Sequence, residues 1–137
     1  IVDLAVHGTE GCVSIKSIAA RCEVSEAYML QIFLELRRAG IIDSVRGAQG
    51  GYMLAKDPSQ ITVNMVLTAL EGKLAPVACL ADREDSYCER NHRCGTRTFW
   101  AGIMNIIIDI TESVTIADLV KCYYRSITAE AVPDYSI

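Results

Sequence analysis

The chain has 137 residues, enough for one compact domain and little more. Hydrophobic residues make up 51% of it, which excludes global disorder, and no apolar run approaches the roughly 18–20 residues of a membrane span. The net charge of −4 argues against a simple basic nucleic-acid binder, but residues 1–56 are balanced and the whole deficit lies in 57–137.

Ile1, Leu4 and Ala5 have helical spacing with no cap before them. This predicts a helix closed by Gly8, entered part-way, with a further stretch preceding it. Ser14 reads as an N-cap for Ile15, Ile18, Ala19 and Cys22, spaced i, i+3, i+4, i+7. The break Glu23-Val24-Ser25 leads to a second cap at Ser25 and a helix to about Ala39, stopped by Gly40. Met29, Ile32, Phe33 and Leu36 form its inward stripe, leaving Ala27, Tyr28, Gln31, Glu35 and Arg38 outward. Two short helices joined by so tight a turn predict a helix-turn-helix.

Ile41–Val45 and Tyr52–Leu54 are β-prone runs around Arg46-Gly47-Ala48-Gln49-Gly50-Gly51, a hairpin directly behind the second helix. That is the wing of a winged helix. A phosphate loop is the poorer reading, because no Gly-Lys-Ser/Thr ending and no helix start follow. Thr62 caps a helix ended by Gly72, and residues 75–95 have no sustained period. A long helix is expected from Thr96 to about Glu112. Its row Phe99, Ile103, Ile106, Ile110 steps by 4, 3, 4, the seam of a coiled coil. Trp100, Met104, Ile107 and Ile108 face elsewhere, so this helix needs two partners, its own domain and a second subunit. Thr115 caps a last helix through Tyr124. The fold class is therefore mainly α: a winged helix-turn-helix over 1–72, a cysteine-bearing loop over 73–95, a dimerisation helix and short helix over 96–127, and a frayed tail over 128–137.

Cys79, Cys88 and Cys94 share one loop with spacing C-x8-C-x5-C. Spacing alone leaves three readings open: iron–sulfur ligation by thiolates, a zinc site with His92 as fourth ligand, or an uncommitted reactive loop. Cys12, Cys22 and Cys122 are expected to be small buried hydrophobes. Free thiols without a secretory signal point to a reducing cytoplasm. His7 is expected to have no special role. No Ser/His/Asp or paired-carboxylate constellation stands out, so catalysis is not expected.

The stretch Val24–Lys56, with its wing phrase SVRGAQGGYMLAK, resembles the IscR family of bacterial winged-helix transcription regulators, and CGTRTFWAGIMNIIIDITESVTIADLV is similar to that family's dimerisation and following helices. The resemblance spans nearly the whole chain. It implies a homodimer, a palindromic double-stranded DNA operator, mainly repression and, in some branches, an iron–sulfur cluster held by three cysteines ahead of the long helix. Those would be Cys79, Cys88 and Cys94, with 2Fe–2S favoured over 4Fe–4S. Other branches lack the cluster, such as the cysteine-metabolism regulator CymR, which implies control through a cysteine-biosynthesis or cluster-assembly protein. NsrR-like relatives sense nitric oxide. Two departures matter. The first two cysteines are further apart than in the cluster-biogenesis regulators, and Arg97 stands where they place a histidine ligand. A guanidinium offers no lone pair and cannot take that role, so the fourth ligand is unassigned.

A recognition helix enters the major groove by its N-terminal half, which directs Ser25, Glu26, Ala27, Tyr28 and Gln31 to DNA, with Gln31 suited to adenine. Tyr28 and Gln31 also match family contact positions. Arg37 and Arg38, near the helix C-terminus, either touch phosphate or stay solvated; Arg46 is a candidate for phosphate or the minor groove, and Gln49 lies at the wing tip. Gly47, Gly50 and Gly51 would let the wing backbone approach closely.

Overall fold

The computed structural model describes residues 1–47, 50–81 and 88–130. Six helices and one hairpin follow in order: α1 (Val2–His7), α2 (Ile15–Arg21), α3 (Glu26–Arg38), β1 (Ile42–Val45), β2 (Gly51–Leu54), α4 (Val63–Glu71), α5 (Arg97–Ser113) and α6 (Ile116–Glu130). Three single 3-10 turns lie at Pro58–Gln60, Ala78–Leu80 and Asn91–Arg93.

Four helix starts share one device. Ser14, Ser25, Thr62 and Thr115 each accept the amide of the residue three further on, at 3.2 Å in every case. At Thr115 the pairing is reciprocal, because Asp118 accepts the Thr115 amide and hydroxyl at 3.2 and 2.6 Å. Those donors, with Lys121 at 2.9 Å, hold the Asp118 carboxyl down to about 2. Between α2 and α3, Glu23 takes the left-handed conformation (φ 56°) that reverses the chain. Gly40 and Gly72 (φ 67° and 77°) end α3 and α4.

The core lies where α1, α2, α3, the hairpin and the starts of α4 and α6 meet. Leu4, Ile18, Phe33, Leu36, Ile41, Ile42, Ile61 and Ile116 are essentially sealed from solvent. Each such side chain contributes about 1.5–3 kcal/mol on burial. Tyr52 presses its ring edge-on to Phe33 at 4.8 Å, seating β2 on α3.

The hairpin is antiparallel, in register from Ile42 opposite Leu54 to Val45 opposite Gly51. Val13 adds a bridge on its far side, exchanging both backbone hydrogen bonds with Tyr52 at 2.8 Å. That approach needs glycine at 51: a Cβ there would stand 2.5 Å from the Val13 oxygen. A second bridge joins Thr62 to Thr115, with Val63 donating to Val114 at 2.9 Å and Ile116 donating to Ile61 at 2.8 Å. The starts of α4 and α6 are thereby stitched together. Asn64 of α4 meets Thr111 and Glu112 of α5 at 3.4 Å. Arg21 clamps Asp3 with two bonds of 2.7 Å, tying α2 to α1.

Three expectations need correction. Cys22 is exposed rather than buried: it stays in helical register with Ile18, its amide bonded to the Ile18 oxygen at 2.9 Å, but at the end of α2 nothing covers it. Its side chain borders an apolar cavity of about 320 Å³ lined also by Ile32, Val66 and Leu119. Cys122 is exposed because burial along α6 ends at Val120. The last helix does not stop at Tyr124 but continues to Glu130, overlapping the expected tail; residues 131–137 lie outside the described residues. Cys12 is half-buried, and His7 stands 4.0 Å from Asp3.

Candidate nucleic-acid interface and cysteine loop

α3 lies against α2, α4 and β1, burying Met29, Phe33 and Leu36 and turning its opposite side outward. Ser25, Glu26, Ala27, Tyr28 and Gln31 are all exposed, and Tyr28 is 54% accessible. The cap bond from the Tyr28 amide to Ser25 Oγ fixes the first turn, so these side chains project from a rigid helix end. The two C-terminal arginines are engaged. Arg37 donates to Ser44 Oγ of β1 at 3.1 Å, and Arg38 pairs with Glu35 at 2.6 Å. Neither contact is buried, so both guanidiniums remain able to exchange these partners for phosphate.

Arg46 is exposed at the end of β1. Gly47 (φ 129°) has a backbone only glycine adopts freely, and a Cβ on Gly50 would collide with the Val45 oxygen. The wing is thus tightly folded at its base. Gln49, with Ala48, lies outside the described residues.

Sequence reasoning passed over Leu34. It is 41% exposed, and Leu30 is 46% exposed, both on the outer side of α3. The signal was there: Leu34 follows Gln31 by three positions and Ala27 by seven, so it shares their face.

The three loop cysteines belong to other segments of the chain, ahead of α5. Cys79, Cys88 and Cys94 are each half-buried and free. Cys94 Sγ lies 3.3 Å from Thr96 Oγ1, and that hydroxyl, its amide and the Arg97 amide hold the thiol below its ordinary pKa. The direction suits a thiolate ligand. The geometry does not: among the described residues, no three His, Cys, Asp or Glu side chains gather closely enough to hold a metal ion. Arg97 is half-buried and its Nε has no partner. The charged run Asp82–Asp85 lies outside the described residues, whereas His92 and Arg93 are exposed.

On α5, Phe99, Ile106 and Ile110 are 63%, 59% and 59% exposed, and Ile103 is half-buried. Trp100, Met104 and Ile108 are half-buried on the other side. Tyr123, Tyr124 and Ile127 of α6 are also exposed. Among the described residues, no helix is long and apolar enough to cross a membrane.

A helix-turn-helix with an uncovered second helix and a glycine-rich hairpin beside it defines the class: a winged-helix DNA-binding regulator. The family model described as Rrf2, iron-dependent transcriptional regulator, matches residues 1–122. The chain belongs to the Rrf2 family. It is 41% identical over 121 residues to protein rrf2 of Nitratidesulfovibrio vulgaris, covering 88% of this chain and 79% of that one. It is 36% identical to the HTH-type transcriptional regulator IscR of Serratia proteamaculans, covering 88% and 72%. Among solved structures it is similar to T. potens IscR (39% identity, 89% and 78% covered, TM-score 0.71) and to CymR, the global cysteine regulator of B. subtilis (36%, 88% and 86%, TM-score 0.69).

Proposed function

We propose that this chain is a cytoplasmic, homodimeric transcription regulator, mainly a repressor, that reads a palindromic operator through α3 and the wing. The uncovered outer face of α3 beside exposed Arg46 carries this reading. Ser25, Glu26, Ala27, Tyr28 and Gln31 meet base edges or flank them. Arg37, Arg38 and Arg46 meet phosphate or, for Arg46, the minor groove; Gly47 and Gly50 shape the wing that approaches DNA with Gln49, while Gly51 seats its second strand on Val13. Phe99, Ile103, Ile106 and Ile110 pack on the same row of a second copy, which places two recognition helices on two half-sites.

Cys79, Cys88 and Cys94 are the residues that would hold an iron–sulfur cluster, whose binding would report cluster status to genes of cluster biogenesis. The lowered pKa of Cys94 supports a ligand role. Holding a cluster requires the segment 79–94 to draw the three thiols together, which couples that segment to the start of α5. A second reading is favoured by their separation here and by the similarity to CymR: a cluster-free regulator of sulfur metabolism working through a protein partner. A nitric-oxide or redox signal would act on the same cysteines.

The test is purification of the protein without oxygen, followed by visible absorbance, iron and sulfide analysis and duplex titration at rising salt. Affinity should fall steeply with salt. Failure to form a salt-sensitive complex would end the DNA reading. A colourless, iron-free protein that binds its operator normally, unaffected by C88A or C94A, would replace the cluster with the partner.

A further inference from the structure

We propose that Leu30 and Leu34 read thymine C5-methyl groups beside the base met by Gln31, so that operator half-sites carry thymine at these positions. The inference rests on the DNA-reading assignment above. Met29, Phe33 and Leu36 of α3 are buried, whereas Leu30 and Leu34 are left 46% and 41% exposed. At 3.6 residues per turn, Ala27, Gln31, Leu34 and Arg38 form the line farthest from the buried stripe. Leu30 stands next to that line, on the flank shared with Arg37 seven residues later, whose bond to Ser44 marks the wing side. The two leucines therefore make a narrow apolar strip between a glutamine and the hairpin, rimmed on the helix by Arg37 and Arg38.

Continuity with the reading face and this cationic rim identify the occupant. A major groove admits one helix, and the thymine methyl is the apolar group it displays. A leucine can neither donate nor accept a hydrogen bond. Against thymine it buries a methyl group. Against cytosine it would cover the N4 amine donor and leave it unpaired, which costs affinity. Gln31, one residue beyond Leu30, supplies the polar half of the same readout.

The experiment uses the full chain and a duplex selected by it from a randomised 30-base-pair library (roughly three helical turns, enough for two half-sites). Each thymine of the half-site is then replaced by deoxyuridine, which removes only the methyl. Losing one buried methyl should weaken binding about fourfold, and about 15-fold when both half-sites are changed. One or two positions should respond in this way. In L30A or L34A the same replacement should cost less than about twofold, the methyl having lost its partner. Alanine is favourable in an exposed helix position, and circular dichroism confirms each variant's fold. If no deoxyuridine position weakens the unaltered protein, or if the losses persist in both variants, the leucines do not read methyl groups. If the library yields no bound duplex, the DNA-reading assignment itself falls.

Discussion

Gly51→Ala probes the joint that holds the wing to the body. A Cβ at that position would stand 2.5 Å from the Val13 oxygen and 2.8 Å from its carbonyl carbon, both backbone atoms that cannot rotate aside. The strand segments must separate, which breaks the two 2.8 Å hydrogen bonds between Val13 and Tyr52. At about 1 kcal/mol each, their loss costs about 2 kcal/mol. For 137 residues the unfolding entropy near the midpoint is about 0.3 kcal/mol per kelvin, so the Tm should fall by roughly 7 °C. Thermal unfolding by circular dichroism gives that shift, and amide exchange at Val13 and Tyr52 reports the broken bridge. DNA affinity should fall with it, because the hairpin carrying Arg46 is no longer held at a fixed angle to α3. A variant melting within about 1 °C of the parent, with both amides still protected, would refute the steric argument, since the size of that shift follows from the same entropy.

Ser25→Ala removes the cap of α3 and should cost about 1 kcal/mol, a fall of roughly 3–4 °C in the same melt. Arg46→Ala should leave the melt unchanged and flatten the log–log salt dependence of DNA binding by about 1 per subunit, measured by anisotropy titration. Ile106→Asp places a charge in the exposed α5 row and should shift sedimentation from dimer to monomer and weaken operator binding together. Arg21 beside Asp3 holds that carboxyl below its usual range, so its stabilising contribution is present above the unfolded pKa of about 3.9 and lost as pH falls through the folded value. Asp3→Asn should therefore lower stability at pH 7 by at most about 1 kcal/mol, with the deficit vanishing in denaturant melts on acidification.

Local signals were the most legible in the sequence. Ser14, Ser25, Thr62 and Thr115 were all readable as caps because the chemistry is complete within four residues, and the glycines after α3 and α4 announced themselves in the same way. Contacts between distant residues were not. Nothing near Val13 signals that it will pair with Tyr52, and nothing near Thr62 signals Thr115. Burial was misjudged where periodicity outlived its partner. Cys22 continues the α2 stripe but stands at the open end of that helix, and Cys122 continues α6 beyond the point where burial ends at Val120. α6 runs past Tyr124 although its apolar residues there, Tyr124 and Ile127, are uncovered, with Ser126 and Thr128 hydroxyls bonded back to carbonyls of the preceding turn. On α3 the polar and aromatic outward residues drew attention, and Leu34 between them did not.

The backbone stitch between Thr62 and Thr115 makes α5 a lever with one end clamped. Its C-terminal end is pinned to the reading head through Val63–Val114 and Ile116–Ile61, while the chain enters its N-terminal end from the segment that carries Cys88 and Cys94. Helical rise puts about 24 Å between Phe99 and the pin, so a 10° tilt, roughly, carries Phe99 about 4 Å while Ile110 travels about 1 Å. Any tilt of α5 about that pin is therefore magnified at Phe99 and almost cancelled at Ile110.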